Sequence, residues 1–390
     1  MRLLAISLSA FVFVTVGCTI GGTTEDDDET NGSSGSGASA PVDTSIAVLG
    51  DGTHDVAKIT LVEIGRQADG LNVPTDLAFN PSVPTDLYVV NMADSTSVVY
   101  RNVGQANQAA EHLDGGLAGA HFLAKPAGIA FGAPDIFATA HNEDQPTQGE
   151  ATPPDFMGPT MWQASLFDAG EFGHIDMLHN SPLGVGIAWE QGNAYWVNDG
   201  YHHSITRYDF VTPHEPGGND HTDGIITRWV EGQVSRVPGV VSHLEFLPGT
   251  SQLFIADTGN SRIGLLNTAG ATPTGQLPFS ENYDSCVMNR FDAATVTTLV
   301  DGKVDNLMPA PAGIAIDNVL VGGEPRDVIF VTDNTTSKIL AFSLDGELLD
   351  WVALGLPAGS LNGITVDDSG NLWLVDSLTH RILRVEPLAQ

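Results

Sequence analysis

The sequence predicts an all-β fold, a six-bladed β-propeller whose last blade is completed by a strand from the N-terminal side. Three observations carry this reading. One strand–turn–strand unit, clearest at residues 253–263 (Leu-Phe-Ile-Ala-Asp-Thr-Gly-Asn-Ser-Arg-Ile), recurs at 87–98, 136–140, 195–205, 329–339 and 372–382. Each copy follows a short apolar strand that often opens with Pro or Gly, as at Pro74, Pro126, Gly186, Pro311 and Gly363. A lone strand at 59–64 precedes the first copy, and the last copy stops after 381–386, one strand short of four.

A fixed order of short strands at a period of roughly 45–75 residues marks radial repetition, because each added blade extends one ring. Within the unit, an apolar run ending in Asp, a short polar turn and a second apolar run read as a hairpin. The outer hairpin is plain in blade five, where Asp345-Gly346 separates the runs 339–343 and 348–352, and Asp-Gly is a strong hairpin signal. The strand at 59–64 is expected to pair with 381–386, since that pairing leaves no inner blade edge open. Two insertions break the period, 143–159 in blade two and 268–295 in blade four. The second holds Cys286, read as an inert thiol because no charged or catalytic setting surrounds it in sequence.

Composition narrows the function. Among 390 residues, 48 acidic and 15 basic side chains give a formal charge of −33, which repels phosphate backbones and argues against nucleic acid. Two cysteines, Cys18 and Cys286, supply no disulfide framework. Arg2 and the apolar stretch 3–16 suit the core of a signal peptide spanning residues 1–17. Its ending, Thr15-Val16-Gly17-Cys18, resembles a bacterial lipobox, although Thr15 stands where Leu is commonest. The resemblance implies acylation of Cys18, and Thr19 after it implies the outer membrane. Residues 18–44 are rich in Gly, Ser and acid and read as a flexible tether, leaving 45–390 for the propeller. Membrane attachment is therefore expected through the N-terminal lipid alone.

The pattern Pro-x-Gly-Ile, then an apolar strand ending Ala-Asp-Thr-x-Asn-x-Arg-Ile, resembles the NHL-repeat propellers over residues 59–386. Its best copy is Ala256-Asp257-Thr258-Gly259-Asn260-Ser261-Arg262-Ile263. Within that group, Asn198-Asp199-Gly200-Tyr201 is similar to a segment of the peptidyl-hydroxyglycine (peptidylamidoglycolate) lyases, which implies Tyr201 as a catalytic tyrosine. The zinc histidines of those lyases follow the Pro that opens a blade, where this chain carries Thr75, Ala127, Val185, Ser242, Ala312 and Asn362. Thr258 stands where they carry a catalytic Arg. The gluconolactonase-like propellers share only Asn362-Gly363.

Strand order places His121, His141, His179, His202, His203, His243 and His380 on one face, here called the top, with Asp199, Asp257, Asp333 and Asp376. The four aspartates read as turn caps, since Asp at a strand end hydrogen-bonds the following turn. His179, His202, His203 and His243 are the expected metal ligands of the top mouth, because imidazoles suit zinc. On the opposite face, Asn219, His221, Asp223 and Gly224 echo the first half of a calcium loop, without its closing Glu. A divalent metal, zinc or calcium, is thus the cofactor considered. The combined expectation is a lipid-anchored binding module of the cell envelope for a protein, peptide or small-molecule ligand. The alternative is a metal-dependent lyase or hydrolase with its site at the top mouth.

Overall fold

A computed structural model describes residues 43–114, 121–144, 157–170, 173–278 and 283–388. The signal peptide, Cys18, nearly all of the tether and most of the 143–159 insertion lie outside the described residues.

Six antiparallel blades follow in chain order. Blade one comprises β2 (Pro74–Asn80), β3 (Val83–Asn91), β4 (Thr96–Arg101) and β5 (Ala109–Asp114). Blade two comprises β6 (Pro126–Phe131), β7 (Ile136–His141), β8 (Thr160–Gln163) and β9 (His174–Met177). Blade three begins with β10 (Gly184–Gln191), β11 (Ala194–Asp199), β12 (Ser204–Asp209) and β13 (Ile225–Trp229). Blade four is β14 (Leu244–Phe246), β15 (Gln252–Asp257), β16 (Arg262–Asn267) and β19 (Thr297–Asp301). Blade five is β20 (Pro311–Val321), β21 (Glu324–Asp333), β22 (Lys338–Ser343) and β23 (Leu348–Ala353).

Blade six contains β24 (Leu361–Val366), β25 (Leu372–Asp376) and β26 (Arg381–Pro387), and its fourth strand is β1 (Ile59–Gly65). The expected closure is present, with Ile59 opposite Pro387 and Leu61 opposite Val385. The chain before β1 is also tied down. Thr44 Oγ1 donates to Leu349 O (2.8 Å), Ile46 N donates to Asp350 Oδ2 (3.0 Å), and the His54 ring stacks on Trp351 at 4.3 Å.

Among the described residues the six largest apolar clusters lie one at each seam between neighbouring blades, with two smaller clusters beside them. In β3, Leu87 and Val89 pack into the seam with blade six, whereas Tyr88 and Val90 pack into the seam with blade two. Side chains alternate across a strand, so a strand buried on both faces must be apolar at every position. That is why the second strand of each blade reads as an unbroken apolar run. Burying each such side chain stabilises by about 1.5–3 kcal/mol.

The blade-four insertion departs from the expected loop. It returns to blade three as β17 (Gly275–Gln276) and β18 (Val287–Phe291), and β18 runs parallel to β13, the outer strand of that blade. Leu277, Cys286 and Met288 thereby join the seam between blades two and three. Burial and the neighbouring Asp284 push the Cys286 thiol up to about 12, which keeps it protonated.

Removing residues up to Ile64 should strip the fourth strand from blade six. We expect the melting temperature to fall by several degrees, or the protein to aggregate through the exposed edge of β26. A truncated chain that melts with the parent would disprove the clasp.

Candidate functional site: the central cavity

Propeller geometry brings the first strand of every blade to one axis. Around it lies a cavity of about 980 Å³ lined from all six inner strands, including Asp76, Ala130, Trp189, His243, Glu245 and Asp317. The ring closes tightly where inner strands meet. A Cβ on Gly186 would collide with Ser242 O, and one on Gly363 would sit 2.5 Å from Asp76 Oδ1.

The top end of the axis is plugged. Ala127, Val241 and Ala312, from the starts of blades two, four and five, form one buried apolar cluster with Val240 against it. His243 completes the plug, with Nε2 donating to Ala127 O (3.0 Å) and Nδ1 3.4 Å from Asp76 Oδ1. The cavity therefore extends toward the opposite face, where loops between first and second strands, such as Pro248 and Asp367–Gly370, form its rim. The top mouth, where the alternative reading placed a site, is filled by these aliphatic side chains.

Two carboxyls beside the plug carry unusual protonation. Burial raises the Asp76 carboxyl, against the pull of His243 and of the Ile129 amide that donates to it (2.9 Å). Burial, and then the Asp76 charge, push the Glu245 carboxyl up to about 8, so it is protonated at neutral pH. Glu245 borders the lumen and so keeps some accessible surface, although protein encloses it at depth. Asp317 on the rim is also raised, by burial and then by Asp327, Asp367 and Asp368. Neither Asp76 nor Glu245 was singled out in sequence. The available signal was a carboxylate in each otherwise apolar inner strand.

The sequence-predicted site residues are dispersed. Tyr201 is 44% exposed in the top turn of blade three, with its ring beside His202 at 4.9 Å. His202 Nδ1 lies 2.7 Å from Asp199 Oδ2, and that carboxylate also accepts from Tyr201 N and His202 N. His203 has φ of 53°, the left-handed turn position that Ser95, Ser261, Ser337 and His380 occupy in other blades. His179 Nδ1 meets Asp284 Oδ1 at 2.9 Å, and its amide donates to the same carboxylate. His243 is in the axial plug. Asp257, Asp333 and Asp376 cap their turns as expected, each accepting backbone or side-chain donors from the residues that follow.

The set of three or more potential ligands that does converge, among the described residues, is different: His174, His214 and His221, with ligand atoms all within 4.8 Å of one another. His221 is turned toward Asp176, while Asp223 accepts from Thr212 N, so the calcium-loop echo becomes a pinned turn.

A carboxyl raised in the fold holds a proton that the unfolded chain releases. Its stabilising contribution is present below the ordinary glutamate value and is lost as pH rises through about 8. Glu245→Gln, neutral throughout, should be more stable than the parent at pH about 9, by at most a few kcal/mol, and converge with it near pH 5. Parallel melting profiles across that range would show that lumen water solvates the carboxylate instead.

No family model matches the chain, and no curated protein matches it either. Solved structures do. An auxiliary nutrient binding protein from Bacteroides thetaiotaomicron shares 15% identity with a TM-score of 0.55, covering 82% of this chain and 71% of its own. Its counterpart from Bacteroides ovatus shares 12% at a TM-score of 0.53, covering 85% and 77%. A luciferin-regenerating enzyme shares 12% at 0.50, covering 85% and 96%. At such identities the likeness is one of fold, and that fold serves binding proteins and an enzyme alike. The chain is a six-bladed β-propeller.

Proposed function

We propose that this propeller is a binding module of the cell envelope, held there by a lipid on Cys18, whose ligand occupies the central cavity. The observation that carries the reading is the cavity itself. Its volume is at the upper end of the range of small-molecule sites, roughly 300–1,000 Å³. Aromatic and aliphatic side chains, among them Phe79, Phe131, Trp189 and Phe246, form its walls, and a few polar groups converge on it. Asp317 and Asp368 at the rim, on a chain of formal charge −33, favour a neutral or cationic small organic ligand over an anion. The similarity in fold to nutrient binding proteins is consistent with this reading.

A thermal-shift screen of neutral, cationic and anionic small molecules tests it, since a ligand at 100 times its Kd stabilises by about 2.7 kcal/mol. Hits should be confined to the neutral and cationic sets and disappear in Ala130→Trp, which fills the lumen beside Phe131. Hits among anions, or hits that survive the filled lumen, would count against the cavity.

Attachment is tested separately. Cys18→Ser should move the protein from the membrane fraction to the soluble fraction, because no helix among the described residues is long and apolar enough to cross a bilayer. Unchanged fractionation would eliminate the lipid anchor.

A further inference from the structure

Blades two and three meet, far from the axis, in a second cavity of about 460 Å³ whose wall includes His121, His174, His179 and His221. His174 opens β9. His214 and His221 come from the connection between β12 and β13, which bends back onto blade two so that Gly217 N faces His174 O at 3.4 Å. The three rings stand 4.9, 5.0 and 5.9 Å apart between centroids.

Hydrogen bonding sets what two of these rings present. His214 Nδ1 is 2.7 Å from Glu215 O, and a carbonyl can only accept, so Nδ1 bears a proton and Nε2 is the nitrogen left to ligate. That Nε2 is buried with no hydrogen-bond partner. His221 Nδ1 lies 2.8 Å from Asp176 Oδ1, which directs its Nε2 away from the carboxylate. His174 is held by stacking on Phe122 at 3.8 Å. Asp176 itself is buried, and its Oδ2 also lacks a partner. A buried polar atom left unsatisfied is costly, so the orphaned His214 Nε2 beside two other converging imidazoles calls for a ligand.

We propose that His174, His214 and His221 bind a divalent transition-metal cation of the zinc class, with Asp176 orienting His221 behind it. Neutral imidazoles are the preferred ligands of such ions, and a carboxylate on the far nitrogen of a ligating histidine is the usual supporting contact. A tetrahedral zinc with bonds of about 2.0–2.1 Å needs ligand nitrogens about 3.4 Å apart, so the rings close inward by an ångström or so. Three protein ligands leave a fourth position, which opens on the cavity and can take water or a small donor ligand. Gly218 makes room for the arrangement, because a Cβ there would lie 2.8 Å from His214 Nδ1.

The site is tested on the full-length protein, stripped with chelator, dialysed against Zn²⁺ and analysed for bound metal. One zinc per chain is expected, and Co²⁺ in its place should give the visible absorption of a tetrahedral centre. His174→Ala, His214→Ala and His221→Ala should each abolish stoichiometric zinc, whereas His202→Ala and His203→Ala should retain it. Asp176→Asn should keep the stoichiometry at saturating zinc but weaken affinity about 10–100-fold. Circular dichroism of each variant separates loss of metal from loss of fold, and His214→Gln provides a milder replacement should His214→Ala misfold. No bound zinc in the parent would overturn the proposal. So would zinc retained in a folded His214 variant, or zinc lost with His202 or His203.

Discussion

The structure depends on how the inner strands lock to one another around the axis. Among the described residues, at five of the seams a hydroxyl or amide of one blade donates to a backbone carbonyl at the start of the next. Thr75 donates to Pro126 O (2.9 Å), Asn198 to Ser242 O (3.0 Å), Thr258 to Pro311 O (2.6 Å), Thr332 to Asn362 O (2.5 Å) and Ser377 to Pro74 O. These donors are deeply buried, so each bond satisfies a carbonyl that the antiparallel ladder leaves open near the axis. Glycines at the same level let the backbones approach closely enough for the bonds to form. The ring is thus joined by short polar contacts at its centre and by apolar seams farther out.

This arrangement determines where a ligand can go. Tight closure at the top, where the Val240–Val241 plug and His243 lie, leaves the cavity reaching toward the other face, where Pro248 and Asp367–Gly370 rim it. It also explains the protonation of Glu245. A side chain on the axis is surrounded by six strands, and the carboxylate of Asp76, from the opposite side of the ring, adds its charge to the cost of burial. Polar residues at the axis are therefore chosen for their ability to remain neutral or to pair.

The periphery follows a different rule. Two irregular segments, the β12–β13 connection and the insertion that adds β17 and β18, fold over the seam between blades two and three. One brings His214 and His221 to His174; the other brings Asp284 to His179 and buries Cys286. The repeat supplies a rigid platform, and the departures from the repeat carry the histidines. Loops held by a rigid scaffold commonly bear function for this reason.

Blade number, strand order and the closing strand were determined by the sequence alone, because strands buried on both faces must be apolar throughout and turns must carry their own capping groups. Leu87 to Val90 and Asp257 illustrate both constraints, and each is local enough to read along the chain. Which histidines meet was decided by tertiary structure. His202 and His203 are neighbours in sequence, yet one caps its own turn with Asp199 and the other occupies a left-handed turn position. His174 and His214, forty positions apart, converge because an irregular connection bends across a seam. The return of β18 to blade three was equally invisible, since a parallel pairing between segments of two different blades leaves no periodic mark. Repetition encodes what each blade repeats; the contacts made by its exceptions depend on distances that only the closed ring defines.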